Sequence, residues 1–424
     1  MTEATATLRT RAVGLIKSGW LVYVAAAALS RVGAIFLVPL YTRRLSQEEY
    51  GSYSLIVSLV ALLPLVLSLG MTSVVGKVYF DAPSPGEARA RVGGVGRWLL
   101  VLASGLGVII AVAAWLFWPS GLLSLDGRLV AIAAIGSVGS AMATIPETFF
   151  RASRAARSAV TLQLLTFFST AGLGILFVAV LGRGLRGAIE AVALTGVGVG
   201  AFGVFFVLRD SRSLEPGVVR RWLPVSLPFV AHFIASWLLS MGDRWVLSAM
   251  NAEAQLGTYY LAVQLVSPAL MLVGTWNELD AARLGEQYRD HGLAAARAGA
   301  LRRSGNYLAV ALVGAAAVGV GVLLLPLLVG PKFVGAAVFV PALLVAHLLE
   351  SQYFVPANLL FYSGRTALIP VVTVSAGVLN VGLAALLWPA FGISGLLAAR
   401  VIAAATRSAL MAWFALRQPA PPRP

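Results

Sequence analysis

Twelve apolar stretches follow one another along this chain, separated by short polar connections. They run over 14–42, 50–77, 92–118, 128–150, 156–182, 185–208, 217–249, 255–281, 302–329, 334–361, 364–388 and 392–416. About 20 apolar residues in a helix cross the ~30 Å hydrocarbon layer of a bilayer. Inside lipid every backbone N–H and C=O needs an internal partner, which leaves helices or a closed barrel. Long, continuously apolar stretches are helices, because barrel strands are short and alternate in polarity. The expected fold class is an all-α integral membrane protein with twelve transmembrane helices. Charged residues make up 12% of the 424, against about 25% in soluble domains. The connections leave no room for an extramembrane domain.

Several functions are excluded early. Cysteine is absent, so no disulfide framework, thiolate metal site or cysteine nucleophile can form. His232, His291 and His347 are scattered, with no metal-ligand spacing. P-loop, GxSxG, HExxH and kinase patterns are missing, so no catalytic residues and no metal are expected. The formal charge of +15 invites a nucleic-acid reading, but the cations lie in short loops, where they report topology. One side collects Arg89, Arg91, Arg97, Arg151, Arg154, Arg157, Arg209, Arg212, Arg220, Arg221, Arg283, Arg289, Arg297, Arg302, Arg303 and Arg365 together with both ends. The other holds only Arg43, Arg44, Arg128, Arg183, Arg186 and Lys332. Both termini are therefore expected in the cytoplasm. The first stretch ends in TRRL without a small-residue cleavage pattern, so it is expected as an uncleaved span.

The chain repeats itself. YGSYSL at Tyr50–Leu55 resembles LGTYYL at Leu256–Leu261, 206 positions later. GLRGAIEA at Gly184–Ala191 resembles GISGLLAA at Gly392–Ala399, 208 positions later. Gly174 matches Gly382, and Arg157 matches Arg365. A steady offset points to a duplicated six-span unit: one lobe over 1–212, a second over 213–416, and a disordered tail over 417–424. Because six is even, the lobes share an orientation and are expected to be related by a pseudo-twofold axis along the membrane normal, with a site between them. GVGVGAFG at Gly196–Gly203 offers a small-residue face for helix packing. Interior prolines such as Pro64, Pro146, Pro224, Pro228 and Pro268 read as kinks or hinges.

Charges inside the spans are the candidate functional residues. Arg31 lies near the middle of the first span. A cation there costs about 2.5–3.5 kcal/mol on insertion scales and usually faces a wet cavity or a bundle interior. Arg400 and Arg407 sit seven residues apart, two turns and about 10.5 Å along one helix face. Asp243 and Arg244 either cap the end of span seven or join a cationic cavity, with Asp243 then tuning it or holding a coupling ion. Lys77 ends span two, where it can snorkel to the headgroups. His347 and Glu350, one turn apart, either carry a proton or form a satisfied polar pair. Glu147 with Arg151 and Arg186 with Glu190 are ordinary helix pairs, and Glu278 and Asp280 end span eight near water. Arg151, Arg154 and Arg157 form a basic step that reports topology or recruits an anionic lipid head group.

The stretch SRVGAIFLVPLYTRRLSQEEYGSYSLIVSLV, Ser30 to Val60, resembles the opening of the Wzx-type oligosaccharide-lipid flippases of the MOP exporter superfamily. The resemblance rests on Arg31, Pro39, Tyr41, Arg44, Leu45, Ser46, Glu49, Tyr50, Gly51 and Tyr53. GMTSVVGKVYFD, MGDRWVLSAMNAEAQLGTYYLAVQLV and the Gly184 and Gly392 openings extend it along the chain. It implies two six-helix lobes around a central cavity, in the bacterial cytoplasmic membrane. It further implies turning a polyprenyl-diphosphate-linked oligosaccharide from the inner to the outer leaflet. The diphosphate would be held by Arg31, Arg244, Arg400, Arg407 and Lys77, because guanidinium forks suit phosphate oxygens. No organic cofactor is expected; proton or sodium coupling through Asp243, His347 or Glu350 stays open. A polysaccharide polymerase and glycosyltransferases are the expected protein partners, with no nucleic acid. A cation-coupled multidrug exporter of the same superfamily is the alternative, disfavoured because the mid-membrane charges are mainly arginine. A polymerase or ligase would need a larger external loop.

Overall fold

A computed structural model describes residues 36–119, 123, 125–210 and 216–417. Most of the first expected span, including Arg31, and the tail from 418 lie outside the described residues. Those described form helices and turns, with no strand among them. Among the described residues, ten helices or helical stretches are long and apolar enough to cross a membrane. The last, Leu368–Arg417, joins expected spans eleven and twelve across a non-helical Gly392 (φ 55°, ψ −135°).

The contacts divide the chain into two compact units. One holds the described residues up to Arg44 with Ile56–Ala231; the other holds Leu45–Leu55 with the described residues from His232 onward. The sequence suggests a division in the polar loop near 212, but the structure divides within the Pro216–Ala249 helix. Packing, not loop polarity, decides which residues form a unit, and one long helix contributes to both.

In the N-terminal unit, helices Gly127–Ala152 and Gly184–Asp210 pack backbone to backbone through the small-residue face read from the sequence. A Cβ on Gly139 would lie 2.2 Å from the Gly196 carbonyl oxygen, and one on Gly203 would lie 2.4 Å from that of Met142. Without water to expel, van der Waals contact of this kind holds membrane helices together. At one end Val92, Val95, Met142, Phe149, Phe206 and Val207 bury one another. There the Arg89 guanidinium lies 5.2 Å over the Phe206 ring.

Expected span two is interrupted. The Gln47–Leu67 helix stops, the chain turns at Met71–Ser73, and a short helix runs over Val75–Phe80. Hydropathy misses this break because the turn is itself apolar. Leu69 and Gly70 take positive φ (47° and 70°), and the Ser226 hydroxyl donates to the Leu69 carbonyl at 3.0 Å. A Cβ on Gly70 would sit 2.6 Å from the Ser226 carbonyl oxygen. Gly70→Ala is therefore expected to cost at least the roughly 1–2 kcal/mol of a left-handed alanine. Its thermal-unfolding midpoint in detergent should fall, while Gly76→Ala, at a position with open space, should leave it unchanged.

In the C-terminal unit the two copies of the first repeat meet. Gly51, on Gln47–Leu67, and Gly257, on Glu253–Ala298, mark a helix crossing at backbone contact. Ser46 and Glu49 open the first helix with a capping box: the Glu49 N–H donates to Ser46 Oγ (3.0 Å) and the Ser46 N–H to Glu49 Oε2 (2.8 Å). Gln47 Nε2 reaches Thr258 Oγ1 at 2.8 Å, and the Tyr50 hydroxyl donates to Gln264 Oε1 at 2.9 Å. The second repeat is also carried by geometry. Gly184 and Gly392 share φ of 55°, and Gly187 and Gly395 each lie against a backbone carbonyl earlier in the chain, those of Phe177 and Leu387. Gly174 and Gly382 differ: Gly174 abuts the Tyr41 ring hydroxyl, whereas Gly382 faces open space.

Expected span eight continues to Ala298, with a non-helical Gly292 (φ 79°). Its polar extension is rich in Leu, Glu, Gln, Arg and Ala, all good helix formers. Asp280 is consequently not near water but 5% exposed. It pairs with Arg303, whose guanidinium also donates to Gln287 Oε1 at 2.9 Å.

Candidate functional site

A buried polar cluster of residues assigned from sequence lies in the C-terminal unit, near the C-terminal end of the Pro216–Ala249 helix. Asp243 and Arg244 are neighbours on that helix, so their side chains leave it about 100° apart. Asp243, 1% exposed, faces the Leu368–Arg417 helix and accepts from Arg400 Nη1 at 2.6 Å. The same Oδ2 accepts from the Tyr259 hydroxyl, and Oδ1 accepts from the backbone N–H of Arg244 at 2.9 Å. Arg400, 6% exposed, is also 3.4 Å from the Ser240 carbonyl oxygen. A buried ion pair of this kind is tolerated only when further hydrogen bonds satisfy the remaining lone pairs and protons.

Arg244 is different. It is 5% exposed, its guanidinium carbon lies 4.8 Å over the Tyr260 ring, and its Nε has no hydrogen-bond partner among the described residues. Tyr260 in turn packs on Tyr50 and Tyr53, with ring centroids 5.2 and 6.3 Å away. Arg244 is thus a buried cation held on an aromatic face, with no carboxylate paired to it among the described residues.

Arg407 lies two turns beyond Arg400 but in other company. Its guanidinium stacks 3.6 Å over the Tyr353 ring, and its Nε too lacks a partner among the described residues. His347, 6% exposed, directs Nδ1 at the Leu343 carbonyl oxygen at 2.8 Å, which makes Nδ1 the protonated nitrogen. Glu350 is half-buried and within electrostatic range of both His347 and Arg400. It makes no hydrogen bond or ion pair among the described residues, so His347 and Glu350 are not a bonded pair.

Other assigned residues lie elsewhere. Lys77 is exposed on the short Val75–Phe80 helix of the N-terminal unit. Arg31 lies outside the described residues. Arg151 sits 3.6 Å from Glu147, and Arg154 takes a left-handed φ of 57° in the turn before the Ala156–Gly174 helix. Arg157 lines a cavity of about 300 Å³ with Ser158, Thr161, Phe150 and Phe202. The Glu190 pair extends to two arginines, Arg183 and Arg186, each 2.8 Å away.

Sequence reasoning grouped Arg244, Arg400 and Arg407 as equivalent cations; the structure separates them by partner. It also brings in Tyr259 and Tyr260, which the sequence offered only as part of a repeat, and Gln264, which stood only within the stretch extending the resemblance. A glutamine and paired tyrosines inside an apolar span were the available signal.

Residues 16–278, more than half of the chain, match the family model for "Polysaccharide biosynthesis protein". No curated protein matches the sequence. Among solved structures, an inward-facing multidrug-resistance MATE family transporter of the MOP superfamily aligns with TM-score 0.74 at 15% identity, over 92% of this chain and 93% of that one. The lipid II flippase MurJ, in an inward closed conformation, aligns with TM-score 0.72 at 12% identity, over 93% of this chain and 87% of that one. At such identities the likeness speaks for the fold alone. The fold is that of the MOP exporters, a multi-pass, two-lobed helical membrane architecture, and the chain belongs to the polysaccharide biosynthesis protein family.

Proposed function

We propose that the protein is a flippase of the bacterial cytoplasmic membrane. It moves polyprenyl-diphosphate-linked oligosaccharide from the inner to the outer leaflet by alternating access, with both termini cytoplasmic. The observation that carries the reading is Arg244, a cation buried in a membrane span, with aromatic support and no acid paired to it among the described residues. A buried guanidinium without a counter-charge favours an anion, and its fork suits phosphate oxygens. Arg407, half-buried over the Tyr353 ring, supplies a second cation, and Arg31, which lies outside the described residues, is assigned as a third from its place in the sequence, while Arg400 holds Asp243. The same excess of buried positive charge disfavours a cationic drug as cargo.

Proton or sodium coupling centres on Glu350, since the oxygens of Asp243 are already engaged. Arg157, with Ser158 and Thr161 at the rim of its cavity, gathers the anionic head at the cytoplasmic surface beside Arg151 and Arg154. Glycosyltransferases supply the substrate and a polymerase takes the product.

The test is transport in proteoliposomes loaded with a fluorescent polyprenyl-diphosphate oligosaccharide. Arg244→Met keeps the apolar stem and removes the charge. It should slow leaflet exchange at least tenfold without lowering the amount of folded protein, and Arg31→Ala should do the same. Exchange at the unaltered rate in Arg244→Met would remove Arg244 from the substrate path.

A further inference from the structure

The N-terminal unit holds a second cavity, of about 250 Å³. Its polar wall is Glu147, Gln163, Thr166 and Thr170. The last three recur at spacings of three and four, one face of the Ala156–Gly174 helix. Its apolar lining includes Leu37 and Phe167.

Counting protons shows what this wall can receive. A hydroxyl has one proton and two lone pairs. The Thr166 hydroxyl donates to the Leu162 carbonyl and the Thr170 hydroxyl to the Thr166 carbonyl, both at 2.9 Å. Each can therefore serve a ligand only as an acceptor. Gln163 Nε2 donates to Glu147 Oε1 at 3.3 Å, which leaves Gln163 Oε1 buried with no partner among the described residues. The reversed amide would set its oxygen against the carboxylate, so this orientation is the consistent one. Glu147 when ionised only accepts. Every polar group on the wall thus offers an acceptor, and the second N–H of the Gln163 amide is the one donor it keeps.

Two ligand classes are rich in donors or positive charge: polyhydroxyl compounds and cations. The charge of Glu147 is partly offset by Arg151 at 3.6 Å, and the other polar groups are neutral. The cavity also presents aliphatic surface beside its aromatic ring, which an inorganic cation does not use, and the offset charge of Glu147 is a weak counter-charge for an organic one. A sugar ring fits both sides, with hydroxyl donors at its edge and C–H groups on its faces. The volume equals about eight waters at ~30 Å³ each, the scale of one ring and not of a chain.

We propose that this cavity is a sugar-binding subsite: Gln163, Thr166, Thr170 and Glu147 accept from the hydroxyls of one neutral sugar residue, and Phe167 packs on its face. It deepens the flippase reading by placing one unit of the glycan within the N-terminal unit.

The cysteine-free chain allows a clean test. Ala171 lines the cavity, so Ala171→Cys introduces a single thiol whose alkylation by a small neutral maleimide is timed in full-length protein in nanodiscs. The probes are the methyl glycosides of glucose, galactose, mannose and N-acetylglucosamine, then the same sugars on polyprenyl diphosphate, beside sugar-free polyprenyl diphosphate. At least one sugar should slow alkylation threefold or more. Adding Thr166→Val, which keeps the shape, should weaken that protection about tenfold, the value of roughly one hydrogen bond. The subsite is overturned if no sugar protects, if tetramethylammonium or sodium protects instead, if Thr166→Val leaves protection unchanged, or if the thiol is unreactive without ligand. Transport is scored separately on the protein with native Ala171. Sugar protection without movement of any lipid-linked sugar would sink the flippase reading and leave the subsite standing. Movement without protection would sink the subsite alone.

Discussion

Asp243→Ala should lower stability by about 3–5 kcal/mol, the cost of leaving one charge of a buried pair without its partner. In a helical unit of this size that corresponds to a fall on the order of 10 °C in the thermal-unfolding midpoint of purified protein in detergent. Three donors converge on this carboxylate: Arg400 Nη1, the Tyr259 hydroxyl and the Arg244 N–H. Arg400 is 6% exposed and Tyr259 fully buried, so water cannot replace the lost acceptor. Asp243→Asn should be milder, because an amide oxygen still accepts from Tyr259. Asp243→Leu combined with Arg400→Met should recover more than half of the loss, since an apolar pair removes both charges together. A midpoint unmoved in Asp243→Ala would mean that the pair carries no net stabilisation. A double variant worse than the single one would mean that Arg400 has a second essential partner.

Gly257→Val should cost about 3 kcal/mol, at the upper end of what overpacking usually does. A Cβ at this position would lie 2.0 Å from the Gln47 carbonyl oxygen and 3.1 Å from the Gly51 nitrogen. These are backbone atoms, so no side chain can rotate away. The two helices would have to separate, breaking the Gln47–Thr258 and Tyr50–Gln264 hydrogen bonds that flank the crossing. The same helix contains its control: Gly274 faces open space, and Gly274→Ala should be neutral or slightly stabilising. Comparing the two midpoints in detergent separates close approach from a general intolerance of side chains on this helix. Equal midpoints would show that the crossing can relax.

Much of this architecture was readable because it follows from local rules. A span is legible from hydropathy, since lipid forces backbone bonding within each segment. The second repeat was legible because both copies keep a glycine in the left-handed region, at Gly184 and Gly392. Residue spacing along one helix also carried over: Arg186–Glu190 and Glu147–Arg151 are paired as their intervals suggest. The break at Leu69–Gly70 was hidden, because an apolar turn leaves no trace in hydropathy. The extension to Ala298 was hidden too, since a polar helix outside the spans looks like a loop.

The sequence by itself determined the class of the molecule: membrane-embedded, helical, duplicated, and carrying arginines where few charges are tolerated. Only the tertiary structure decided what each arginine does. Asp243 and Arg400 are 157 residues apart in the chain, and nothing in either segment announces the other. Two arginines on one helix face look alike in sequence. Arg400 is buried against an acid and Arg407 lies half-buried over a tyrosine ring, which makes one half of an ion pair and the other a cation over an aromatic face. The reason is physical: helix formation is dictated within a few residues, whereas the electrostatics of a buried charge depends on whichever groups packing places within a few ångströms of it.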